Sequence, residues 1–240
     1  LNELNSERKK IITVEDPVEY RLSRVNQVQV NSRIGLTFAK VLRAALRQDP
    51  DIVLVGEMRD KETVEIGIRA SLTGHLVLST LHTNDAVSTA MRLIDMGVEP
   101  YLAASSLRAI IAQRLMRKIC TSCKQVQDFA SLKKDLLFAS HLSEDIEKQV
   151  FYTGKGCHNC NGTGYKGRQG IYEFLILTDD AARALQNGDN EAFKLAATMQ
   201  PSYCSLSISA MNLAKQGITS LEEVFRVTEA VNDDSVVIHD

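Results

Sequence analysis

Residues 51–57 read DIVLVGE, and the way that stretch folds decides the architecture. Four aliphatic residues in a row, with no alternation, mark a strand buried on both faces, as in the interior of a parallel sheet. On its N-terminal side TFAKVLRAALRQ (37–48) carries apolar residues at helical spacing. Asp49 and Pro50 stop that helix, because the residue before a proline avoids helical dihedrals. On the other side RDKETVEIGIRASLTG (59–74) reads as a helix capped by Asp60 and closed at Gly74, and it feeds a further strand, HLVLSTLH (75–82). Such alternation predicts a mainly parallel sheet covered by helices.

Working outward, IITVED (11–16) adds an upstream strand. Downstream, Thr83, Asn84 and Asp85 offer caps for the helix AVSTAMRLIDMG, which closes at Gly97. Pro100 then opens what reads as a long amphipathic helix through YLAASSLRAIIAQRLMRK. After Ile119 two cysteine pairs flank a polar, lysine-rich segment. These changes of texture predict an α/β core at 1–118, a cysteine subdomain at 119–170, C-terminal helices at 171–230 and a short tail at 231–240. Within the C-terminal helices, Thr219 and Glu222 stand at capping-box spacing.

Composition narrows the function. With 240 residues, 44% hydrophobic and 24% charged, the chain can bury an ordinary core. No run approaches the ~18 apolar residues of a membrane helix, and LNELNSERKK carries no signal-peptide pattern, so a cytoplasmic location is expected. A net charge of -2, with the basic residues dispersed, argues against a nucleic-acid partner.

Candidate chemistry gathers at the C-terminal ends of the strands, where parallel sheets bind ligands. EDPVE (15–19) brings Glu15, Asp16 and Glu19 there, although a solvated acidic turn would read the same way. DIVLVGE ends in Glu57, a usual place for a group that orients an attacking water or holds Mg²⁺ through water. The pattern departs from the common one, since glycine follows the aliphatics and the acid comes one residue later. His82 closes its strand beside Ser79, Thr80 and Thr83, while His75 at the other end reads as structural. Acids, an acid, then a histidine with hydroxyls on one edge make a phosphoryl-transfer site.

A rival nucleotide signal is GTGYKG (162–167), a literal G-x-G-x-x-G. A dinucleotide fingerprint needs a strand before it and a helix after it. Here CHNCN precedes and RQGIYEFLIL, a strand pattern, follows, so these glycines turn the chain beside a metal instead. Cys120 with Cys123 and Cys157 with Cys160 form two C-x-x-C pairs, able to give one Zn²⁺ four thiolates. The intervening residues 124–156 exceed the usual ~15–20, which an inserted hairpin or helix would explain. Reduced cysteines without metal, or a redox pair, are the alternative. Cys204 stands outside the set.

The strings ITVEDPVEYRL, LRAALRQDPDIVLVGEMRD and SLTGHLVLSTLHTNDA, in this order, closely resemble the Asp box, Walker B region and His box of the secretion ATPases that drive type II secretion and type IV pilus assembly. MGVEPYLAASSLRAIIAQRLMRKIC and AKQGITSLEEV resemble the pilus-extension and type II branch, which also carries paired cysteines. The resemblance covers residues 1–230. It implies a RecA-like P-loop NTPase core using ATP and Mg²⁺, a structural Zn²⁺, a homo-hexamer, and an inner-membrane platform protein as partner. Glu19 and Glu57 would share water activation and Mg²⁺ positioning, the base between them staying open. His82 would contact the γ-phosphate, Glu15 and Asp16 would line the site, and Arg43, Arg47 and Arg59 would stabilise charge or join subunits. No G-x-x-x-x-G-K-[ST] occurs in the 240 residues. The expectation is therefore a core truncated on its N-terminal side, with little ATP binding by the fragment alone. A zinc-dependent interaction module and a RecA-like nucleic-acid motor are the rival readings.

Overall fold

In the computed structural model residues 1–127 and 149–233 are described. They fall into two compact units, residues 1–110 with 175–200, and residues 111–174 with the segment from 201 onward.

The first unit holds a four-stranded sheet in the order β2-β1-β3-β4, formed by β1 (Ile11–Glu15), β2 (Asn26–Gln29), β3 (Ile52–Val55) and β4 (Leu76–Ser79). Every pairing is parallel. β1 and β3 lie in the middle, and Ile11, Val14, Ile52, Val53 and Val55 are buried, as the unbroken aliphatic run predicts. Each such side chain stabilises the fold by roughly 1.5–3 kcal/mol. β2 is the strand that sequence reading passes over. Its NQVQ offers a single aliphatic, and only pairing with β1 makes it a strand.

α1 (Phe38–Leu46) starts where the Thr37 hydroxyl accepts from the Lys40 N–H, and turns Ala39, Val41, Leu42 and Ala45 inward against β1 and β3. α2 (Lys61–Leu72) is capped by Asp60, which accepts from the Thr63 N–H at 2.8 Å and from its hydroxyl at 2.9 Å. α3 (Ala86–Asp95) begins with a capping box between Asp85 and Ser88. α5 (Asp179–Gln186) and α6 (Asn190–Thr198) complete the unit, packing on each other.

The long helix expected after Pro100 does not form. α4 is confined to Pro100–Ser106, Leu107 is extended, and β5 (Ala109–Ile119) follows. Ile110, Ala112, Met116 and Ile119 are buried along β5 in near alternation. The apolar set of AIIAQRLMRKI fits either period, and a partner distant in sequence, β8 (Tyr165–Ile176), decides for the strand. Hydrogen bonds from Leu177 to Arg108 and from Cys120 to Gly164 show that the two run antiparallel.

In the second unit β6 (Lys124–Val126) and β7 (Tyr152–Gly154) form a short antiparallel pair beside the cysteines. Residues 128–148, part of the expected cysteine subdomain, lie outside the described residues, as does the tail beyond 233. α7 (Leu206–Lys215) and α8 (Leu221–Asp233) pack together. The cap of α8 sits one residue later than the expected Thr219. The Ser220 hydroxyl accepts from the Glu223 N–H at 3.2 Å, and the Thr219 hydroxyl donates to the Arg117 carbonyl at 2.8 Å. No helix among the described residues is long and apolar enough to cross a membrane.

Candidate functional site

The register of the sheet aligns its chemistry. Val14 pairs with Val55 and Val55 with Ser79, so Glu15, Gly56 and Thr80 leave the strands side by side. Beyond Gly56 comes Glu57, whose side chain is only 11% exposed. Its Oε2 lies 2.6 Å from Arg59 Nε and 3.4 Å from His82 Nε2. Glu57, Arg59 and His82 therefore come together from the ends of β3 and β4. The imidazole is 87% exposed.

Glu15 is half-buried and held in place: the Thr13 hydroxyl and Gln27 Nε2, the latter at 3.0 Å, donate to its Oε1. Asp16 lines an open polar cleft of 540 Å³ with Gln29, Asn31, Ser32 and Arg33. Glu19 is exposed, and no hydrogen bond or ion pair holds it among the described residues. The helix arginines point elsewhere: Arg43 pairs with Glu62 at 2.6 Å. Arg47 caps the end of α1 that leads into the start of β3, so a strand's length separates it from Glu57. His75 is tied to the end of α2, its Nδ1 lying 3.0 Å from the Ala70 carbonyl and 3.2 Å from the Thr73 hydroxyl.

Thr13 and Gln27 carry no signal in the sequence, whereas Thr80 is legible at the strand end beside His82. The partners of all three depend on strand register.

The second cluster is the four cysteines, whose sulfurs all lie within 4.8 Å of one another. Cys120 and Cys157 Sγ are 3.9 Å apart, Cys123 and Cys160 3.8 Å, and Cys157 and Cys160 3.7 Å. A tetrahedral ion with Zn–S bonds of ~2.3 Å requires sulfur separations of about 3.8 Å, far beyond a disulfide's ~2.05 Å. The residues present fit zinc. Burial and hydrogen bonds with the neighbouring thiols push the Cys123 thiol up to about 12. Burial also acts against ionisation of Cys160, but N–H groups of Cys157 and Gly164 aimed at its sulfur prevail and bring it down to about 6.

The glycines of GTGYKG serve this knuckle. Gly164 has φ +77°, and a Cβ there would stand 2.5 Å from the Gly154 carbonyl oxygen. The same residue gives its carbonyl to the Cys120 N–H. The backbone closes on itself here, beside the cysteines.

Residues 1–226 match the family model for type II/IV secretion system protein. The type II secretion system ATPase E of Vibrio cholerae is 48% identical over 229 residues, covering 95% of this chain and 44% of that protein. The type IV pilus assembly ATPase PilB of Acinetobacter baylyi is 47% identical, over 95% of this chain and 39% of its own length. The chain thus spans less than half the length of these curated relatives. Among solved structures, the pilus retraction motor PilT with bound ADP superposes with a TM-score of 0.64 at 31% identity, over 91% of this chain and 52% of that one. The Legionella pneumophila ATPase DotB has the same TM-score at 20% identity, which shows the shared fold. With a parallel sheet carrying Glu57 and His82 at its edge and a family match across nearly its whole length, this chain belongs to the type II/IV secretion system protein family.

Proposed function

We propose that the chain is the hydrolytic portion of a motor ATPase that powers pilus assembly or type II secretion. The observation that carries this reading is Glu57, largely buried at the tip of a central parallel strand with His82 at 3.4 Å. Glu57 orients the water that attacks the γ-phosphate, and His82 reaches the phosphate from the next strand end. Glu15, fixed by Thr13 and Gln27, and the exposed Asp16 and Glu19 supply negative charge where Mg²⁺ is held. When bound, Mg²⁺ neutralises charge on the phosphates. Arg59 balances Glu57, while Arg43 and Arg47, further off, are placed to meet other subunits.

The names of the relatives support an ATPase that works in secretion or pilus machinery. In this reading the parent protein is a cytoplasmic hexamer acting on an inner-membrane platform protein, with no nucleic acid involved. Cys120, Cys123, Cys157 and Cys160 hold a structural zinc. Because no phosphate-cradling G-x-x-x-x-G-K-[ST] lies within these residues, the isolated chain binds ATP weakly.

The test is Glu57→Gln in the full-length protein. ATP turnover should fall by about 100-fold or more while nucleotide binding persists. Turnover within a few-fold of wild type would remove Glu57 from the hydrolytic role, whereas loss of turnover with secretion or pilus function intact would leave the zinc-dependent interaction module as the better reading.

A further inference from the structure

The ladder between β3 and β4 ends at Val55 and Ser79, yet hydrogen bonding continues one step past it. The Met58 N–H donates to the Thr80 carbonyl at 3.1 Å. The Thr80 hydroxyl in turn donates to the Gly56 carbonyl at 2.6 Å. These bonds fall on either side of Glu57, so a single residue just past the neighbouring strand brackets the backbone that aims its carboxylate.

The contacts of the carboxylate itself are poor anchors. Arg59 and His82 have side chains 70% and 87% exposed, so solvent competes for both partners of the largely buried carboxylate. The direction of the Glu57 side chain therefore depends on its main chain. Thr80 is also two residues before His82, so the same anchored peptide holds both members of the Glu57–His82 pair. The Thr80 side chain is exposed, and its hydroxyl spans strand ends far apart in sequence.

We propose that Thr80 is a positioning residue for hydrolysis: its hydroxyl locks the Gly56 carbonyl and so fixes the aim of Glu57. This rests on the reading of Glu57 as the water-orienting group. With valine the bond to Met58 remains, because it uses the main chain, and only the hydroxyl's half of the bracket is lost. Serine keeps that half.

The experiment measures ATP turnover and melting temperature of the full-length protein as wild type, Thr80→Val, Thr80→Ser and Glu57→Gln, with kcat normalised to the folded fraction. Thr80→Val should lower kcat about tenfold with KM for ATP changed by less than about twofold, since misaiming a catalytic group costs rate rather than binding. Thr80→Ser should restore kcat to within about threefold of wild type. An unchanged kcat in Thr80→Val, a loss that disappears on normalisation, or an equal loss in Thr80→Ser would each overturn the proposal. Glu57→Gln separates the two levels. If it is inactive while Thr80→Val is normal, only the positioning role fails; if it is active, the hydrolytic reading fails as well.

Discussion

Substituting Glu223 by glutamine tests what holds the cysteine-bearing unit together. The Glu223 side chain is fully buried, yet it accepts from the Arg117 N–H at 2.9 Å, Arg117 Nε at 2.8 Å, Arg117 Nη2 at 2.7 Å, Arg226 Nε at 2.8 Å and Arg226 Nη2 at 2.6 Å. Glutamine keeps the volume but offers one acceptor oxygen and turns an NH₂ group toward guanidinium donors. At least two donors then lose their acceptor, at ~1.5–3 kcal/mol each for charged partners. Arg117 and Arg226 are 41% and 55% exposed and regain water, which reduces the cost to about 2–4 kcal/mol. That corresponds to a melting temperature lower by roughly 10 °C. The pH dependence has a definite sign. Burial alone would raise the Glu223 carboxyl, but bonds from Arg226 and Arg117 outweigh it and bring the group from 4.5 down to about 2. A lowered carboxyl stabilises the fold fully above its unfolded value, and that stability is lost as pH falls through the folded one. In urea titrations the gap between wild type and Glu223→Gln should be full at pH 7 and narrow from pH 4.5 toward 2. A gap below ~0.5 kcal/mol at pH 7, the size of an ordinary surface change, would refute the reasoning.

Two further outcomes are expected. Gly56→Ala places a Cβ 3.1 Å from the Val14 carbonyl oxygen and 3.3 Å from Glu15 Cα, both main-chain atoms that cannot swing away. It should destabilise by about 1–3 kcal/mol in urea unfolding, and an unchanged midpoint would show that the strand ends are not packed this closely. The full-length protein, purified without chelator, should carry one zinc per chain by elemental analysis, and Cys160→Ser should lose most of it. Wild type free of zinc yet normally folded would instead favour reduced cysteines with no metal.

Legibility in the sequence tracked how far apart the deciding partners lie. The helices around DIVLVGE were readable because their caps are local: Asp60 and Asp85 each accept from an N–H three residues on. The cysteine tetrad was readable because two x2 pairs announce their own geometry. The conversion of AIIAQRLMRKI from expected helix to strand was not, since β8 lies some fifty residues downstream and its pairing is invisible locally. The same holds for NQVQ, whose glutamines look like loop until Gln27 is seen donating to Glu15.

At the site itself, a departure noted in the sequence finds its cause in the sheet. Position 56, where the common pattern puts an acid directly after the aliphatics, is occupied by glycine. The structure leaves little room for anything else there: the Gly56 N–H donates to the Val14 carbonyl at 2.7 Å, and the end of β1 passes against the place a side chain would fill. An aspartate at 56 would crowd its Cβ to 3.1 Å from that carbonyl oxygen and bring its negative charge near it. One residue later the chain has cleared β1, and Glu57 turns toward Arg59 and His82. The longer glutamate side chain offsets part of the step past the strand end. The acid thus stands at 57 because close packing of β1 on β3 reserves 56 for the backbone, and the glycine and the glutamate are one feature of the site.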